Sequence, residues 1–190
     1  MVRTSNTQRA ILDIAEDLLQ DRGFNGFSYA DISAELGVKN AAVHYHFPTK
    51  EDLGVSIIRR YRERFKLWIN NARVKDLASQ QKLDWFLNIY SSTRADHGKV
   101  CLAGVLETEF NSIPDSLREQ TQGLTKELIA WLQAILDDGR QAGVFRFNGD
   151  PADKAALILS SLQGALQMAR ALGTGKFQAV VGQIKKDLLA

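Results

Sequence analysis

The stretch Gly37-Val38-Lys39-Asn40-Ala41-Ala42-Val43-His44-Tyr45-His46-Phe47-Pro48-Thr49-Lys50-Glu51-Asp52-Leu53 decides the fold. Gly37-Val38 reads as a tight turn, Lys39–His46 as a very short helix, and Phe47-Pro48-Thr49-Lys50 as a second turn. Just upstream, Ser28 is a good N-cap, Asp31 follows near the positive helix end, and Ile32 and Leu36 supply a core face. Helix, glycine turn and short helix together form a helix-turn-helix pattern. A first helix starting near Asn6 or Thr7 supports the pair from behind. Ala10, Ile11, Ile14, Ala15, Leu18 and Leu19 repeat at helical spacing until Gly23 stops the run, and Phe24 and Phe27 follow in a short loop.

The short helix suits a DNA major groove. Ala41 and Ala42 are small enough for close approach, and a methyl group there can touch a thymine methyl. Asn40 can pair with adenine, Lys39 with guanine or phosphate, and His44 and Tyr45 can reach phosphate or a base edge. Lys50 opens the next helix, where amide groups and the helix dipole already favour an anion. The plainer alternative is that any three-helix bundle contains such a turn. His44 and His46 flank Tyr45, but histidines two apart on a helix point to different faces, so no metal site is expected.

From Thr49 a long helix is expected to run to about Ala72, with Leu53, Ile57 or Ile58, Tyr61, Phe65 and Trp68 on one face and Arg59, Arg60, Arg62, Arg64 and Lys66 on the other. Further helices are expected near 77–93, 101–111, 114–141, 151–172 and 176–189, separated by turns at Asp96-His97-Gly98, 111–114, 139–143, 148–150 and 173–175. Pro48, Pro114 and Pro151 read as helix starts. Apart from Val144–Phe147 there is no strand pattern, so the fold class is all-α.

The 190 residues carry 24 basic and 22 acidic side chains, a net charge of only +2. That balance hides an asymmetry. Residues 1–38 hold 3 basic and 6 acidic groups, net −3, whereas residues 39–66 hold 7 and 3, net +4. The basic segment begins at the short helix, as an electrostatic footprint for DNA would. The single cysteine, Cys101, excludes an intrachain disulfide framework and any multi-cysteine metal centre. No apolar run approaches a membrane span, and the opening MVRTSNTQRA lacks the apolar region of a secretory signal, so a cytoplasmic protein is expected.

The string from Gly37 to Leu53, with Arg22-Gly23-Phe24 and Ser28-Tyr29-Ala30-Asp31-Ile32 before it, resembles the TetR/AcrR family of transcriptional repressors over roughly residues 7–60. Lys39 stands where that family usually has serine, and His44 where it usually has tyrosine. The resemblance implies that Tyr45 and Lys50 contact phosphate and that Phe47 is core. The candidate DNA-contacting set is Ser28, Tyr29, Lys39, Asn40, Ala41, Ala42, His44, Tyr45 and Lys50. It also implies a helix-turn-helix DNA-binding domain over 1–48 and a ligand-sensing and dimerisation domain over 49–190. The expected partners are double-stranded operator DNA with a near-palindromic sequence, a small-molecule effector and a second copy of the chain. No cofactor is expected.

In the body, Trp68, Trp85, Phe86, Ile89, Leu102, Val105, Trp131 and Leu162 are candidate pocket residues, with ordinary core packing as the alternative. Ala156, Ser160 and Gly164 put small residues at helical spacing, and Phe177, Val181 and Ile184 form a stripe on the last helix. The resemblance favours a dimer interface there; the alternative is packing within one chain. Gly98-Lys99-Val100-Cys101-Leu102, an acidic residue some eight positions on, and Leu136-Asp137-Asp138-Gly139-Arg140 resemble a subgroup that includes an N-ethylmaleimide-responsive repressor. Cys101 at a helix start beside Lys99 could be a sensor thiol, or a small buried hydrophobe. The rival reading is a helical small-molecule-binding protein, or a cysteine enzyme using Cys101 and His97, without a DNA role.

Overall fold

The computed structural model describes residues 6–90 and 98–189, and among them every regular element is an α-helix. The helices are α1 (Asn6–Arg22), α2 (Tyr29–Leu36), α3 (Asn40–His46), α4 (Lys50–Ile69), α5 (Ala72–Lys75), α6 (Ser79–Tyr90), α7 (Leu102–Thr108), α8 (Asp115–Gln141), α9 (Pro151–Leu172) and α10 (Gly175–Leu189). They form two compact units: Met1–Phe65 with Leu102–Leu124, and Lys66–Cys101 with Thr125–Ala190.

In the first unit, α1 buries Ile11, Ala15 and Leu19, α2 buries Ile32, α3 buries Val43, and α4 buries Leu53, Ile57 and Ile58. Leu106, Leu117 and Leu124 join the same core. The turn between α2 and α3 depends on Gly37, whose φ of 70° lies in the left-handed region that disfavours a Cβ. It lets the Gly37 and Val38 amides both return to the Ser33 carbonyl, the latter at 3.0 Å. Ser28 begins α2 by donating its backbone N–H and its hydroxyl to the Asp31 carboxylate, each at 2.7 Å. The hydroxyl bond, then the backbone bond, holds the Asp31 carboxyl below its ordinary value. A depressed carboxyl stabilises above the ordinary carboxylate range, and that contribution is lost as pH falls through the lowered value. Thr49 and Asp52 make the same reciprocal cap on α4, so Pro48 stands just outside that helix. The Glu16 carboxylate ties α1 to α4, accepting from Arg64 and, at 2.6 Å, from Arg60, which also pairs with Asp13.

In the second unit, α9 starts where expected: Asp150 caps the Ala152 amide at 2.7 Å and Pro151 takes the first turn. Gly139 on α8 is required by space, because a Cβ there would enter the Phe145 ring. The neighbouring Arg140 donates to the Gly149 carbonyl and lies over the Phe147 ring. The glycine–arginine pair in the subgroup pattern therefore locks the turn that leads to α9. Val144–Phe147 is not a strand: the Val144 and Phe145 amides both return to the Gly139 carbonyl, and the Arg146 amide donates to the Leu188 carbonyl. The helix expected from Thr49 to Ala72 stops at Ile69, and Asn71 caps a separate single turn, α5, by accepting from the Arg73 amide. The ends expected at residues 91–93 and the Asp96-His97 part of a turn lie outside the described residues.

Tyr29 carries a direct test of this packing. Its ring is buried and its hydroxyl donates to the Phe47 carbonyl at 2.8 Å. Burial first, and the Asp52 charge second, push the phenol up to about 12 from 10.0. A raised phenol stabilises below pH 10, and that contribution is lost as pH climbs toward 12. Tyr29→Phe is expected to lower the unfolding free energy at pH 7 by about 1–2 kcal/mol in urea titrations, because it strands a buried carbonyl. An unchanged midpoint would contradict the assignment.

Candidate nucleic-acid interface

Helix α3 is anchored on one side and open on the other. Val43 is fully buried, while Lys39, Asn40, Ala41, His44 and Tyr45 are exposed, Tyr45 to 83%; Ala42 is half-buried. Lys39 is the N-cap residue and makes no side-chain cap bond, so the fit of a lysine where a capping serine would stand leaves its ammonium out of the helix start. Asn40 is committed in part: its Oδ1 accepts from the Ser33 hydroxyl at 2.7 Å. The His44 ring meets the Tyr29 ring edge-on at 4.6 Å, and its Nδ1 lies 3.4 Å from the Pro48 carbonyl. These contacts fix the base of α3 without covering its outer face.

Three members of the candidate set behave differently from expectation. Tyr29 is core, as its hydroxyl bond to Phe47 shows, so it braces the helix pair and does not present itself to DNA. Ser28 is exposed but spends its hydroxyl on Asp31. Lys50 turns inward. Its ammonium donates to the Phe27 carbonyl and sits over the Phe24 and Phe27 rings, 4.8 and 4.4 Å from their centroids. Desolvation lowers its pKa, opposed by the charges of Glu109 and Asp31. The aromatic pair Phe24 and Phe27 outcompetes solvent for this cation, which helical position alone did not reveal.

In the second unit an aromatic group forms around Trp131, with Trp68 at 5.0 Å and Phe86 at 5.4 Å between ring centroids. Tyr90 adjoins Phe86, and the half-exposed Trp85 stacks nearly parallel to Trp68 at 6.3 Å. Ile89 is half-buried on the same helix, and Leu162 is fully buried. Leu102 and Val105 are buried too, but they belong to the first unit. Cys101 is 1% exposed, and its sulfur lies 3.4 Å from the Tyr90 hydroxyl. His97, its candidate partner, lies outside the described residues. Among the described residues no cluster of three or more metal-ligating side chains occurs, and no helix is long and apolar enough to cross a membrane.

The candidate interface residues divide. Ala156, Ser160 and Gly164 are exposed on α9, and a Cβ at Gly164 would meet nothing within 4 Å. Leu157, Met168 and Leu172 expose large apolar side chains on the same helix. Phe177 is fully buried and Ile184 nearly so, because both pack inside their own unit, and Val181 is half-buried. The stripe on α10 is therefore mainly intrachain packing. The acidic residue eight positions after Cys101 in the subgroup pattern is Glu109. The structure puts its carboxylate on the backbone amides of Phe24 and Asn25, 85 and 84 residues away. Only chain reversal brings such groups together, and no local spacing signals it.

Comparison with known proteins agrees with this geometry. Residues 11–56 match the family model for bacterial regulatory proteins of the tetR family, and residues 80–182 match the tetracyclin repressor-like C-terminal domain. The HTH-type transcriptional repressor NemR of Escherichia coli strain K12 is 26% identical over 176 residues, spanning 87% of this chain and 84% of that protein. The structure is similar to a TetR transcriptional regulator from Legionella pneumophila at 30% identity and a TM-score of 0.84, covering 98% of this chain and 100% of the other. It is also similar to a TetR-family regulator from Agrobacterium tumefaciens at 28% identity and a TM-score of 0.90, covering 97% and 98%. A buried-based, open-faced α3 in a matching all-helical frame leads to one assignment: the chain belongs to the tetR family of bacterial regulatory proteins and is a DNA-binding transcriptional regulator.

Proposed function

We propose that the protein is a dimeric, effector-responsive repressor that reads a near-palindromic operator with α3. The observation that carries the reading is the division of α3 into a buried anchor, Val43, and an exposed face bearing Lys39, Ala41, His44 and Tyr45. Two copies of α3 on a two-fold dimer would enter successive major grooves about 34–36 Å apart. Residues 1–48 serve as the DNA-contacting module and 49–190 as the sensing and dimerisation part. The name of the similar NemR protein, a transcriptional repressor, supports repression. The location is cytoplasmic, where a regulator meets its DNA.

The exposed apolar face of α9, with Leu157, Met168 and Leu172 beside the small Ser160 and Gly164, supports self-association. Small residues allow close helix approach, and the large ones supply apolar area to bury. The aromatic group of Trp68, Trp85, Phe86 and Trp131 supports a small-molecule effector. An effector changes operator affinity only through its unequal affinity for two states of the protein. The buried Cys101 favours ligand binding over direct thiol attack as the signal, and its Tyr90 neighbour offers no base for an enzyme's nucleophile.

Lysine positions separate docking from bracing. With a duplex selected by the wild-type chain from a random pool, Lys39→Ala is expected to lower the slope of log affinity against log salt by about 1, as for one lost phosphate contact. Lys50→Met is expected to lower thermal stability and leave that slope unchanged; an equal loss of slope in both would contradict the inward placement. Cys101 is expected to react with N-ethylmaleimide roughly a hundredfold more slowly in the folded chain than in urea, by mass spectrometry, because the thiol must first be uncovered. Equal rates would restore direct attack on the thiol.

A further inference from the structure

We infer that Glu109 is a positioning residue for operator recognition, holding the loop on which α2 and α4 are set. Glu109 follows α7 and belongs to the same compact unit as the helix-turn-helix. Its Oε2 accepts from the Phe24 amide at 2.5 Å and its Oε1 from the Asn25 amide at 3.2 Å. One carboxylate thus satisfies two consecutive backbone donors just past the end of α1. The Asn25 side chain donates in turn to the Ser112 hydroxyl at 3.0 Å.

The approach is close enough to dictate a residue type. Gly23 has a φ of 83°, and a Cβ there would lie 2.8–2.9 Å from the Glu109 carboxylate. The glycine therefore serves two needs, the left-handed turn and the room for the acid. The loop it opens carries Phe24 and Phe27, the two rings that hold the Lys50 ammonium, and Lys50 is the first residue of α4. The same loop ends at Ser28, which starts α2. Phe24 also reaches Gly54 on α4, where a Cβ would meet the Phe24 ring and the Leu117 side chain at 2.8 Å. A second tie, the Ser116 hydroxyl to the Glu51 carboxylate at 2.5 Å, runs parallel to the first.

These contacts make the segment from α7 to the start of α8 part of the frame that aims α3. The backbone donors that Glu109 holds belong to the loop after α1, so it acts on α3 through that loop. Its charge permits a test with opposed signs. Removing an acid raises the net charge by one, which by electrostatics alone tightens binding to any duplex. Loss of positioning weakens binding to the selected operator only.

The experiment compares wild type and Glu109→Gln, as full-length protein, on the duplex selected by wild type and on a scrambled duplex of equal length at one salt concentration. The expected result is about tenfold weaker binding to the selected duplex with binding to the scrambled one unchanged or tighter. Unchanged or tighter binding to the selected duplex would overturn the inference, as would equal loss on both. Amide hydrogen exchange of the wild-type protein supplies a readout that needs no variant. Phe24 and Asn25 are expected to exchange slowly for loop residues, and exchange at the rate of an unprotected loop would overturn the clamp.

Discussion

A helix of seven residues does not hold itself together in water, and α3 is seven residues long. Its order has to be supplied by what it packs on, and much of the first unit is arranged to supply it. Val43 puts a branched side chain into the core, the Ser33 hydroxyl holds Asn40, the Tyr29 ring braces His44, and the Tyr29 hydroxyl fastens the Phe47 carbonyl at the helix exit. Gly37 sets the angle at which α3 leaves α2. These ties leave Lys39, Ala41 and Tyr45 exposed on the outer side. In the reading proposed above, specificity for DNA comes from a helix that is ordered by its neighbours.

The same logic extends along the chain. Capping pairs at Ser28–Asp31 and Thr49–Asp52 fix where α2 and α4 begin, and Arg60 and Arg64 converge on Glu16 to lock α1 against α4. Those two arginines are two of the five basic residues between Arg59 and Lys66, and both are spent internally. The positive charge of residues 39–66 is thereby narrowed to fewer exposed groups, with Lys39 at the head of α3 the most directly placed. The two units are joined covalently at 65–66, 101–102 and 124–125. The middle junction lies directly between Cys101 and the start of α7, the helix that precedes Glu109.

What was legible in the sequence was local. The helix-turn-helix could be read because glycine turns, caps and 3–4 spacing are decided by neighbours in the chain. Helix α9 could be bounded to the residue because Asp150, Pro151 and Gly173 mark both ends. What escaped depended on groups far apart in sequence. A place at a helix start marks Lys50 as a phosphate ligand, whereas Phe24 and Phe27, more than twenty residues earlier, draw it inward. Tyr29 belonged to a motif, but only the return of Phe47 made its hydroxyl a buried fastener. Phe177 and Ile184 formed an apolar stripe that could serve a partner or the chain itself; packing chose the chain, and the exposed apolar face lies on α9 instead. Asn71 did carry a readable signal, a side chain suited to capping, for the single turn of α5 that periodicity ran through.

In the reading proposed above, α3 reads DNA from a two-fold pair of such modules. Hydroxyl-radical footprinting of the wild-type protein on its selected duplex tests it most directly. Two protected patches are expected on one face of the duplex, centred about 10–10.5 base pairs apart, and both vanish with Tyr45→Ala. Uniform protection, a single patch, or a footprint indifferent to Tyr45 would contradict it.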